Sequence, residues 1–198
     1  MLIIKALSRD HRALEQLLAE LSTTPKTDKQ LRVQTFAKLQ ALLQAHSRAE
    51  EEVVYRRLRM KYPEEVQVLE AYEEHHLADV LLQELASGNF GSERWTPQIK
   101  LLEQLLRQHI KQEELQLYPL LEAGFEKAAL AAMDKEFKAL KHERLEALLG
   151  PLRGAMPAFA GRAAVGLQAG TGRLLRRGQL HAMHAAWRLN GRAEREAH

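Results

Sequence analysis

Two stretches of the chain carry the same arrangement of reactive side chains. Residues 46–55 read HSRAEEEVVY, and residues 109–118 read HIKQEELQLY. Each opens on a histidine and places a glutamate four residues later, Glu50 and Glu113. Each adds a second glutamate, Glu51 and Glu114, and closes on Tyr55 or Tyr118. Side chains four residues apart share one face of a helix. Each stretch can therefore offer an imidazole nitrogen and a carboxylate oxygen to one point. Neutral imidazole suits iron, zinc and copper, and carboxylate suits harder ions, so the mixed set is compatible with iron or manganese. Two carboxylates from opposite helices can bridge two ions.

The stretches belong to a longer repeat. His11 is followed by Leu17, Leu18 and Leu21, and His75 by Leu81, Leu82 and Leu85 at the same offsets. This register selects His75 over the adjacent His76. The apolar stripes then run Leu7, His11, Leu14, Leu18 in the first segment and Leu39, Leu43, His46, Glu50, Val53 in the second. The third gives Val68, Tyr72, His75, Asp79, Leu82, and the fourth gives Leu102, Leu106, His109, Glu113, Leu117. Steps of three and four keep these residues on one face. Polar groups thus interrupt a core stripe four times. A buried polar group without a partner costs about 1–3 kcal/mol, and a charge costs more. A metal satisfies all of them together.

The elements that must position these residues are helices, with no convincing alternating strand. STTPKTD (22–28), Tyr62-Pro63 and SGNFGSERWTP (87–97) punctuate the chain, giving helices over about 2–21, 29–60, 64–86 and 96–122. Short connections favour antiparallel neighbours, so the expectation is an all-α, up-down-up-down four-helix bundle with further C-terminal helices. Pro119 is expected to kink or end the fourth helix. Expected domains are 1–124 for the bundle, 125–150 for a helix packed on it, and 151–198 for a basic extension.

One His on the first helix, HxxxE on the second, EEHH on the third and HxxxEE on the fourth resemble the hemerythrin/HHE cation-binding family over about residues 3–123. The resemblance implies an antiparallel bundle around a non-haem di-iron centre. It implies His11, His46, His75 and His109 as terminal ligands, with Glu50 and Glu113 bridging two iron ions; another divalent metal is the alternative cofactor. The oxygen-carrying members have a further histidine where this chain has Asp79, which can ligate iron or hold a ligand histidine. Reversible oxygen carriage loses weight accordingly. Binding or sensing oxygen, peroxide or nitric oxide, or iron handling, gains it. The alternatives are a redox enzyme breaking down peroxide at the same centre, and a helical interaction module acting through its tail. No residue is assigned a catalytic role. A ferritin-like site needs ExxH on two helices, whereas here it occurs once, at Glu73 and His76.

The other polar residues carry bland expectations. Glu51 and Glu114 lie about 100° around the helix from the ligand glutamates and should be solvated, the alternative being that either replaces the missing ligand. Tyr55 and Tyr118 should cap the core, the alternative being that they donate to a ligand carboxylate or guard the cavity. His76 should be a surface residue or support a ligand, and His142 should lie on the surface of a fifth amphipathic helix. His181 and His184 have no carboxylate at ligand spacing.

Composition sets the outer bounds. The 198 residues are 45% hydrophobic and 28% charged, a globular balance with room for one core and an appendage. The absence of cysteine excludes disulfides and thiolate metal sites. No apolar run reaches the ~18 residues of a membrane span, and the N-terminus does not read as a signal peptide, so the expected location is cytoplasmic. The net charge of +3 is uneven: residues 151–198 hold eight Arg and two Glu, against 21 basic and 24 acidic residues before them. That tail is expected to fold back on the bundle or to meet an acidic partner or anionic membrane surface. A nucleic-acid partner is not expected, because no binding fold is recognisable.

Overall fold

The computed structural model describes residues 2–155; the expectations for the basic tail beyond Ala155 and for His181 and His184 fall outside them. The described residues are helical throughout, with short connections. Helix α1 is Leu2–Thr23, α2 is Lys29–Glu50, α3 is Arg56–Lys61, α4 is Val66–Ser87, α5 is Trp95–Gln112, α6 is Tyr118–Gly124 and α7 is Lys127–Ala155. Two π-helical turns, π1 (Glu51–Tyr55) and π2 (Glu113–Leu117), join α2 to α3 and α5 to α6. Four long elements close a ring: α1 packs on α2 and α5, and α4 packs on α5 and α2.

Local chemistry fixes the ends. Asp28 caps α2 by accepting from the Leu31 N–H at 3.1 Å. Arg32 is buried, donates to Thr24 O at 2.7 Å, Phe90 O at 2.7 Å and Thr96 Oγ1 at 2.8 Å, and lies 4.7 Å from the Trp95 ring centre. One guanidinium thereby ties together the connections at one end of the bundle, satisfying carbonyls that no helix could reach.

Pro119 does not end the helix. It sits in the first turn of α6, directly after π2, and helix continues to Gly124. A first-turn position tolerates a missing N–H, and the wide turn before it has already broken the α-helical hydrogen-bond register. Helix α7 runs through Gly150 and Pro151, and the first compact unit ends at Glu146.

The core falls into two apolar clusters. One gathers Ile3, Leu7, Val53, Leu58, Val68, Leu117, Leu121 and, from α7, Leu130, Met133 and Phe137. The other gathers Leu14, Leu18, Phe36, Leu39, Leu43, Leu82, Trp95, Leu102 and Leu106. In all four long helical stretches the residues between these clusters are the polar ones singled out by the repeat.

Candidate metal centre

His11, His46, Glu50, His75, His109 and Glu113 are brought together in that polar layer, and each is at most 3% exposed. They fall into two halves. His11 and His46 meet edge-on with ring centres 5.0 Å apart. His75 and His109 face one another with their Nε2 atoms 3.1 Å apart. Each carboxylate reaches between the halves. Glu50 Oε2 lies 3.1 Å from His46 Nε2 on its own helix and 3.8 Å from His75 Nε2. Glu113 Oε2 lies 3.5 Å from His109 Nε2 and 3.2 Å from His11 Nε2.

Five of these inward atoms lack hydrogen bonds. His11 Nε2, His46 Nε2, both oxygens of Glu50 and Oε2 of Glu113 are buried without a partner, although their separations fall in ion-pair range. The atoms are close, but the angles are wrong for hydrogen bonding. That is a costly state for a protein interior, and it fits lone pairs aimed at a shared cation. Two overlapping sets, His11–His46–Glu50 and Glu50–His75–His109, have ligand atoms within 4.8 Å of one another. The donors are nitrogen and oxygen only, the set that suits iron or manganese.

The outward nitrogens are held, and the holders repeat too. Asp10, one residue before His11, has Oδ2 3.4 Å from His46 Nδ1. Glu74, one residue before His75, has Oε2 2.8 Å from His109 Nδ1. Glu51, one residue after Glu50, has Oε1 3.0 Å from His75 Nδ1. Glu114, one residue after Glu113, has Oε1 3.5 Å from His11 Nδ1, where the Tyr118 hydroxyl also approaches at 3.3 Å. A partner on Nδ1 fixes the ring and turns Nε2 inward.

The expectation that Glu51 is solvated is therefore wrong. It is displaced around α2 from Glu50, but His75 comes to it from α4. Glu114 is part-exposed and shared with Arg12. Tyr55 does more than cap the core: its hydroxyl donates to Glu113 Oε1, and its ring stacks on His75 at 5.3 Å. Nine residues at about 100° each would leave Tyr55 half a turn away from His46 in an unbroken α-helix. The π1 turn absorbs roughly one residue and swings Tyr55 back inward. Asp79 stays outside the cluster, 3.5 Å from an Arg48 nitrogen. Burial pushes its carboxyl up, with Arg48 opposing. His76 and His142 are exposed.

The charges compensate one another in the metal-free site. Burial lowers the His46 imidazole, but the Glu50 and Asp10 carboxylates outweigh it and raise the group to about 10. Burial also opposes the charged form of His109, and Glu113 and Glu74 raise it. Burial pushes the Glu113 carboxyl up, yet His109 and His11 hold it well below the carboxylate range. Burial and the charge of Glu113 push the Tyr55 phenol up, so it stays a donor.

A helical ring with paired histidines and two shared carboxylates defines a cation-binding bundle. The chain belongs to the hemerythrin family: the hemerythrin HHE cation binding domain matches residues 2–121. It is also similar to a protein of Nostoc sp. (strain PCC 7120 / SAG 25.82 / UTEX 2576) described as a DNA nickase, with 28% identity over 146 residues. That alignment covers 74% of this chain and 41% of the relative, so the chain spans about two-fifths of the relative's length. No solved structure matches the chain. Among the described residues, no helix is long and apolar enough to cross a membrane.

Proposed function

We propose that the chain holds two iron ions, one at His11 and His46 and one at His75 and His109, with Glu50 and Glu113 shared between them. The centre then meets a small ligand such as oxygen, hydrogen peroxide or nitric oxide. The observation that carries this reading is the set of buried, unpartnered Nε2 and carboxylate atoms, combined with a held Nδ1 on all four histidines. Bound iron would supply Lewis acidity and redox exchange to such a ligand. The chain supplies the rest. Asp10, Glu51, Glu74 and Glu114 orient the rings, Tyr55 donates to Glu113, and the apolar clusters on either side limit bulk water.

The test is titration of the iron-loaded protein with nitric oxide and with hydrogen peroxide under absorption spectroscopy. A saturable spectral change with one ligand per centre supports binding or sensing. Continuous peroxide loss beyond the protein concentration moves the reading to a redox enzyme. No spectral response to either contradicts it.

The DNA nickase relative, together with eight arginines in residues 151–198, favours one second reading. Here the same centre serves strand cleavage and the tail holds phosphates, which would reverse the expectation of no nucleic-acid partner. Conversion of supercoiled plasmid to nicked circles by the iron-loaded chain, lost in His46→Ala/His109→Ala and weakened by tail truncation, would support it. Unchanged plasmid would remove it.

A further inference from the structure

The two halves of the site repeat in sequence but differ in what lies outside them. The first half is covered by α7, which lies beyond the matched domain. Phe137 stands edge-on to His46 with ring centres 5.7 Å apart, and Lys141 Nζ reaches Asp10 Oδ1 at 2.7 Å. The Asp10 side chain is 6% exposed, and its counterpart Glu74 is 18% exposed.

The second half has a cleft where α7 would have to lie. Gln67, Glu70 and Glu74 of α4 face Gln112, Glu113 and Gln116 of α5 and π2 across a space of about 10 Å3. That is room for one water-sized molecule. Its inner end is Glu113, buried with Oε2 unpartnered, and Gln112 Oε1 is a second buried acceptor without a partner along the wall. Asp79, one turn after His75 on α4, is turned to Arg48 rather than into this half.

Resting on the di-iron reading above, we infer that small ligands reach the centre through this cleft and meet the half held by His75 and His109, while α7 closes the half held by His11 and His46. The carboxylates of Glu70 and Glu74 give the mouth of the passage a negative lining, which disfavours anions and admits neutral molecules. The ligand class is therefore a neutral molecule little larger than water, and nitric oxide enters faster than azide.

The test measures nitric oxide association by stopped-flow absorption on the iron-loaded full chain. Gln116→Trp and Gln67→Trp place a large ring on opposite walls of the mouth, and Leu115→Trp, on the exposed side of π2, is the control. The inference expects iron content unchanged in all three, association slowed several-fold in Gln116→Trp and in Gln67→Trp, and no change in Leu115→Trp. Glu70→Gln should raise the azide rate and leave the nitric oxide rate alone. Normal rates in both cleft variants, with iron bound, overturn the inference and leave the di-iron reading standing. A parent chain that takes up no iron overturns both.

Discussion

Lys141 on α7 and Asp10 on α1 form an ion pair across 131 residues of sequence, with Nζ 2.7 Å and 2.5 Å from the two carboxylate oxygens. Asp10 in turn faces His46 Nδ1, so a helix outside the matched domain bears on a candidate ligand. Lys141→Met should leave a buried carboxylate with His46 as its remaining neighbour. Removing one partner of a buried pair costs about 3 kcal/mol as an upper figure, because His46 compensates in part. Denaturant unfolding of the metal-free chain checks this. A loss below about 0.5 kcal/mol, the range of an exposed pair, would place the contact outside the protein's stability.

Glu51→Gln removes the carboxylate that holds His75 Nδ1 at 3.0 Å. The fold should survive, because Gln keeps the volume and one oxygen. Iron affinity should fall about 10–100-fold, the usual effect of losing the outer partner of a ligand histidine. Competition against a chelator of known affinity gives the number. Unchanged affinity would mean that Glu51 serves Arg48 rather than His75.

Loading should release protons. Without the metal, the Glu50 and Asp10 carboxylates raise His46 from its ordinary value to about 10, and Glu113 and Glu74 raise His109 as well. A raised histidine stabilises the fold fully below its unfolded value, and this contribution is lost as pH rises through the folded value. A metal needs the neutral ring. At pH 7 iron should therefore displace the proton of His46, and His109, raised in the same direction, adds to the release. Affinity should strengthen as pH climbs toward 10. Proton release measured in unbuffered solution tests this, and no release at pH 7 would contradict the charge pattern of the site.

The clustering of the candidate ligands was legible because its signal is local: a four-residue step from histidine to glutamate, written twice in one register. The helices were legible for the same reason. The supporting residues divide in two. Asp10 and Glu74 left a trace in the sequence, an acid directly before His11 and before His75, although a single helix says nothing about which ring each will hold. The side that Glu51 and Tyr55 face was not legible, because it depends on a neighbouring helix and on a π turn, neither of which ideal α-helical angles contain; donation from Tyr55 to a carboxylate was the weaker of two readings. Lys141 carries no local signal, since its contact is made only when α7 folds against α1.

The central claim is the metal cradle, and the most direct measurement is iron content with an absorption spectrum. The chain is loaded with ferrous iron, exposed to air and desalted beside a His46→Ala/His109→Ala variant. The account predicts about two irons per chain, with the near-ultraviolet bands of an oxygen-bridged diferric pair, and both lost in the variant. Iron no higher in the parent than in the variant would contradict it.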